Sequence, residues 1–197
     1  MTVLEDRIEM ADADANTERL DEWFERLERM PVPEGFRVEI VEGSVHMTPQ
    51  RNTHWQIIRR FLLALERRFG EDVMVFSDVR IDFPGHENGF CPDVALLKDS
   101  AKQDDKGHWR YQDVEFVAEV ISQGTAANDY GPKRTAYATA EVPVYVVADP
   151  YQGRCLVYTD PKDGDYDEPT RVDFGTDIDL TGTVVDLVLK TDKFPTD

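Results

Sequence analysis

A mixed α/β (α+β) domain with a central sheet between helices is what this sequence predicts, on three observations. Apolar residues recur at helical spacing before residue 30 and again over 52–69. Two runs, 114–121 and 142–148, are too apolar for half-exposed strands and read as buried ones. Between them lies a helix opening, with Asp129 before Gly131-Pro132, so that helix and strand alternate. The 197 residues suffice for one domain with a sizeable core.

Residues 1–15 are acidic and aperiodic and are expected to be a flexible N-terminus, with one domain over 16–190 and a tail over 191–197. From a cap at Asn16 or Thr17, Leu20, Trp23, Phe24, Leu27 and Met30 mark a helix that Pro31 and Pro33 end. Residues 36–41 and 44–48 form a hairpin turned by Glu42-Gly43, with Glu39 on the face opposite Val38 and Ile40. Asn52 or Thr53 caps a second helix, whose stripe of Trp55, Ile58, Leu62, Leu65 and Phe69 is closed by Gly70. His54, alone in its first turn, reads as a surface or cap residue. One kinked strand is expected over 73–83, a loop over 84–89, a strand over 91–97 and a polar loop over 98–110. Along 114–121, Glu119 shares a face with Glu115, Val117 and Ile121. The next helix carries Lys133, Tyr137 and Ala140 on one side. Central and neighbouring strands follow at 142–148 and 154–159, with weaker ones at 170–174 and 182–189.

The net charge of −18 weighs against a nucleic-acid partner, because phosphate binding draws mainly on cations. Residues 1–30 and 160–197 together account for −13, however, leaving −5 for the middle. There Arg51, Arg59, Arg60, Arg67 and Arg68 face only Glu66, which suits a phosphate backbone or a solvated helix face equally. No apolar run is long enough to span a membrane, and no hydrophobic leader is expected. Cys91 and Cys155 form no disulfide framework, so a reducing cytoplasm is expected.

Asp93 and Glu119 each sit inside an apolar strand, where an unpaired carboxylate costs several kcal/mol to desolvate. Side by side they make an oxygen-rich site for Mg²⁺ or Mn²⁺. Lys133, one turn into the following helix, could orient a nucleophile or stabilise charge on a phosphodiester. Structural salt bridges are the plainer alternative for the same residues.

Pro-Asp-Val-Ala at 92–95, Ala-Glu-Val-Ile-Ser at 118–122, Lys133-Arg134 with Tyr137, and the run 142–150 together resemble the Uma-two family of the PD-(D/E)xK nuclease superfamily. The hairpin opening at 33–43, followed by Thr48-Pro49, is similar too, so the likeness covers about 32–160. It implies a restriction-endonuclease-like core and a Mg²⁺- or Mn²⁺-dependent DNA endonuclease that works as a homodimer. It also implies that Asp93, Glu119 and the Val120 carbonyl bind the metal, with Glu39 at the site's edge. The superfamily's lysine position is Ile121 here, which nominates Lys133 as the substitute. Ile121 and the net charge equally motivate an inactive nuclease fold serving as a dimeric binding or regulatory module. A nucleophile-based hydrolase lacks a Gly-x-Ser-x-Gly element and a histidine partner for Ser122 or Cys91. Zinc lacks ligand spacing among His46, His54, His86 and His108.

Overall fold

The computed structural model describes residues 3–31 and 35–197. Pro33 and the first two residues of the expected flexible N-terminus lie outside them. The chain opens with α1 (Val3–Glu28), which starts well before the cap expected at Asn16. The hairpin β1 (Phe36–Val41) and β2 (Ser44–Pro49) follows, then α2 (Asn52–Phe69). Next come β3 (Val75–Phe76), β4 (Ile81–Phe83), β5 (Asn88–Phe90), β6 (Val94–Leu97), β7 (Trp109–Arg110) and β8 (Val114–Val120). Two short helices, α3 (Ala126–Tyr130) and α4 (Pro132–Thr139), lead to β9 (Val144–Asp149) and β10 (Arg154–Thr159). The chain ends with β11 (Thr170–Asp173), β12 (Ile178–Asp179) and β13 (Val188–Leu189).

The central sheet is mixed and six-stranded, in the order β11-β10-β9-β8-β6-β3. Only β8 and β9 run parallel, because α3 and α4 supply the crossover that parallel neighbours require. A second, five-stranded sheet has the order β2-β1-β5-β4-β7. The α2 stripe of Ile57, Ile58, Phe61 and Leu65 packs with Phe116, Ala118, Val120 and Val146 on one face of the central sheet. Val117, Ile121, Tyr145 and Val147, on the other face, pack with α4 and with Phe83 and Phe90 of the second sheet. The alternation expected along β8 is therefore realised from Phe116 onward, whereas Val114, next to a register shift against β6, packs on the opposite face. Glu119 points into the layer between sheet, second sheet and α4.

Several local expectations change. Arg51, not Asn52 or Thr53, occupies the cap position of α2, with no side-chain cap bond. The expected kinked strand over 73–83 divides into β3 and β4, which join different sheets. The break falls near Asp78, whose φ of 58° no regular strand accommodates. Only Val188 and Leu189 of the expected 182–189 strand pair, with β12. Residues 191–197 fold back, burying Phe194 with its ring 5.5 Å from Phe61 and 5.2 Å from Phe174.

Two glycines shape the path to the site. Glu42 and Gly43 both have positive φ, the signature of a tight hairpin turn. Gly89, opposite Ile40, is where α1 closes on the second sheet: a Cβ there would lie 2.7 Å from the Phe24 ring.

Candidate active site

Five elements bring charge to one buried point. Register between β6 and β8 pairs Val94 with Ala118, which sets Asp93 beside Glu119. The Asp93 backbone N–H donates to Glu119 Oε2 at 3.3 Å, and the Val120 N–H donates to Asp93 Oδ2 at 2.7 Å. From β1, Arg37 and Glu39 point the same way, because residues two apart share a strand face. From α3 and α4, Asp129 and Lys133 are four residues apart and face each other.

Lys133 is fully buried and lies 2.7 Å from Glu39 Oε1, 2.9 Å from Glu119 Oε1 and 3.2 Å from Asp129 Oδ1. The Tyr137 hydroxyl donates to the same Glu119 Oε1 at 2.6 Å. Arg37 Nη1 donates to Asp93 Oδ1 at 2.6 Å and to the Cys91 carbonyl at 3.1 Å. It also stands 3.7 Å from both Glu119 Oε2 and Asp78 Oδ1, while its Nη2 is 3.4 Å from Glu39 Oε2. On the α2 side, His54 Nε2 is 3.3 Å from Asp93 Oδ2.

Burial and charge pull these groups apart. Burial alone would raise the Asp93 carboxyl, but Arg37, His54 and the Val120 N–H outweigh it and hold the group well below the usual carboxylate range. Glu39 is likewise lowered, since Lys133 and Arg37 overcome its desolvation. Glu119 goes the other way. Its complete burial outweighs Lys133 and Arg37, with Asp129 and Asp93 adding repulsion, and pushes it up to about 8. Burial moves Asp129 to about 6 despite Lys133. Lys133 is held well above the ordinary lysine value, because its three carboxylates overcome desolvation.

Four carboxylates are oxygen donors of the kind that could hold a hard divalent cation. Four buried carboxylates (Asp93, Glu119, Glu39 and Asp129) face two buried permanent cations, Arg37 and Lys133, leaving an excess of negative oxygen donors. In this arrangement Arg37 and Lys133 stand among the carboxylates. Among the described residues, the cluster that draws three ligand atoms tightly together is elsewhere, at Asp21, Asp82 and His108. Arg80 and Lys106 already pair with that cluster, which makes it a surface salt-bridge junction.

Of the residues singled out in the sequence, Asp93, Glu119, Lys133 and Glu39 meet at one point, and Ile121 is buried in the apolar layer beside Glu119. The Val120 contact seen is made by its N–H, not by its carbonyl. Arg37, His54 and Asp129 went unrecognised. His54 was legible in principle, since it lies on the buried α2 stripe three, four and seven residues before Ile57, Ile58 and Phe61. Arg37 was signalled only by its spacing from Glu39. The Cys91 thiol, pushed up to about 12 by burial, is no nucleophile at neutral pH.

Three comparisons bear on this site. The model of the family described as Uma2, putative restriction endonuclease, matches residues 23–191. No curated protein matches the chain. A crystal structure described as a putative nuclease belonging to DUF820, from Anabaena variabilis, superposes with a TM-score of 0.67 at 15% identity. The superposition covers 89% of this chain and 96% of that one, and at such identity it shows a shared fold.

Proposed function

We propose a specific activity from one premise: the chain belongs to the Uma2 family of putative restriction endonucleases. The activity is divalent-cation-dependent endonucleolytic hydrolysis of DNA phosphodiester bonds, by a cytoplasmic homodimer. The single observation that carries it is the buried meeting of Asp93, Glu119, Glu39 and Lys133, where carboxylates outnumber cations.

In this reading Asp93 and Glu119 hold Mg²⁺ or Mn²⁺, assisted by the Val120 carbonyl and by Glu39. The cation, when bound, activates water and offsets charge on the phosphodiester. Asp93 is ionised throughout the neutral range and serves as the permanent anionic anchor. Its Oδ2 is oriented by the Val120 N–H and by His54, while its Oδ1 accepts from Arg37 Nη1 at 2.6 Å. Glu119, pushed up to about 8 by burial, would give up its proton on taking the cation. The Tyr137 hydroxyl fixes its Oε1 beside Lys133. Lys133 remains charged and stabilises negative charge developing on the phosphate, the role vacated by Ile121.

Plasmid cleavage with Mn²⁺ at low salt tests this reading, comparing wild type with Asp93→Asn, Glu119→Gln and Lys133→Met. Each variant is expected to lose about a hundredfold or more in rate. Undiminished cutting by Lys133→Met removes the lysine from the chemistry. No cutting by wild type, together with no heat of Mn²⁺ binding, favours the alternative of a dimeric regulatory module. The observation behind that alternative is the neutralisation of the carboxylates by Arg37 and Lys133. Sedimentation that shows only monomer at high concentration rejects the dimer.

A further inference from the structure

Outside the site, the most conspicuous departure from the chain's acidity is the outer side of α2. Residues 51–68 carry five arginines and one acid in a chain of net charge −18. Arg51, Trp55, Arg59, Leu63 and Arg67 recur every four residues and so form one ridge along the helix, with steps of about 6 Å. Arg51, Trp55, Arg59 and Arg67 are exposed, and Trp55 retains 49% of its surface. Among the described residues, Arg51, Arg59, Arg60 and Arg67 make no salt bridge, and Arg60 Nε has no hydrogen-bond partner. At the C-terminal end of the ridge lies a groove of about 490 Å³ lined by Arg60, Arg67, Arg68, Lys190 and Lys193, with Asp192 as its acid. Arg68 is engaged by Asp186 and Lys190 by Asp177, so that, among the described residues, Arg60, Arg67 and Lys193 are the groove cations outside any salt bridge.

The other end of the ridge adjoins the candidate site. His54 reaches Asp93 from the first turn of α2. Gln50, one residue before Arg51, donates to the partly exposed Asp78, which stands 3.7 Å from the buried Arg37. The ridge thus runs from the turn of α2 that carries His54 to the basic groove, over about 24 Å.

We propose that this ridge and groove are the docking track for a nucleic-acid backbone, with Trp55 stacking on an unpaired base. The proposal rests on the nuclease reading for the placement of the reacting bond, but its binding surface is separate from the carboxylates. Evenly spaced free cations suit a regularly charged strand, and an exposed tryptophan between two arginines offers a base a stacking face. An acidic protein segment would use the cations and leave Trp55 idle.

Anisotropy of labelled single-stranded and duplex oligonucleotides, measured with EDTA so that nothing is cut, tests the track. Wild type is expected to bind at low salt, the single strand more tightly. The Arg59→Glu/Arg67→Glu double variant is expected to lose at least tenfold, with the salt slope reduced by about 1.4 or more. Trp55→Ala is expected to lose roughly tenfold on the single strand and little on the duplex. Circular dichroism and Mn²⁺ calorimetry should be unchanged in both variants, since these residues face solvent. Oligonucleotide affinity that survives charge reversal overturns the track. A Trp55→Ala variant with wild-type affinity, or wild type that binds polyglutamate as well as it binds oligonucleotides, overturns the stacking role or the nucleic-acid partner respectively. If the track binds as described but Mn²⁺ gives neither heat nor cleavage, the nuclease reading fails and the surface stands. Cleavage with unchanged oligonucleotide affinity in the double variant gives the converse.

Discussion

Lys133 is the residue on which the buried cluster balances. Its ammonium is the shared partner of Glu39, Glu119 and Asp129, so its removal strands three carboxylates away from water. Lys133→Met is therefore expected to lower stability by about 3–5 kcal/mol in urea unfolding with chelator present. The loss should shrink at acid pH, where the stranded carboxyls take up protons. The wild type carries its own pH signature. Glu119 at about 8 and Asp129 at about 6 are raised above their unfolded values, so each binds protons more readily folded than unfolded. Their contribution is complete below about pH 4 and is lost as pH rises through 6 and then 8. Asp93 and Glu39 are lowered instead, so their stabilisation is already complete above about pH 5 and adds no slope there. The urea midpoint in chelator should accordingly fall between about pH 5 and pH 8.5. Glu119→Gln should flatten the upper half of that decline.

At the scale of elements, the site depends on how three layers are brought together. The register of β6 on β8 sets Asp93 against Glu119, and the β8–α3–α4–β9 crossover returns Lys133 over the same strand. The second sheet supplies Arg37 and Glu39, and α1 holds that sheet from outside through Leu20, Phe24 and Ile40. Gly89 permits this closure, since a Cβ there would meet Phe24 at 2.7 Å. Gly89→Ala is expected to cost about 1–3 kcal/mol in thermal unfolding, because the Phe24 ring and α1 must shift. An unchanged melting temperature would mean that α1 gives way freely and does not hold the hairpin in place.

Across the whole molecule, the C-terminal residues close the core on the α2 side. Phe194 packs between Phe61 and Phe174, and the Thr53 hydroxyl donates to the Asp197 carboxylate at 2.5 Å. Phe194→Ala should destabilise the domain by about 3–5 kcal/mol while leaving the carboxylate cluster intact, as Mn²⁺ calorimetry at low temperature would show. The distribution of charge belongs to the same scale. Acidic excess gathers toward the two ends of the chain, while α2 stays basic, so −18 overall coexists with a local cationic ridge.

Much of the fold was legible because its signals are periodic and local. The α2 stripe, the Glu42-Gly43 turn, the alternation along β8 and the apolar run of β9 each express a repeat that the backbone geometry dictates. Asp93 and Glu119 stood out because charge inside an apolar strand is costly, whatever it later meets. Partnership was not legible. Arg37, His54 and Asp129 look like ordinary surface and cap residues until strands 50 residues apart are paired, because a buried ion pair is defined by distance in space and desolvation. The split of 73–83 into two sheets and the return of Phe194 to the core had the same origin. By itself, the sequence determined the elements, their burial and the two carboxylates. Tertiary structure alone decided which charges neutralise them, because electrostatic partners in a low-dielectric interior are chosen by packing, which no local pattern encodes.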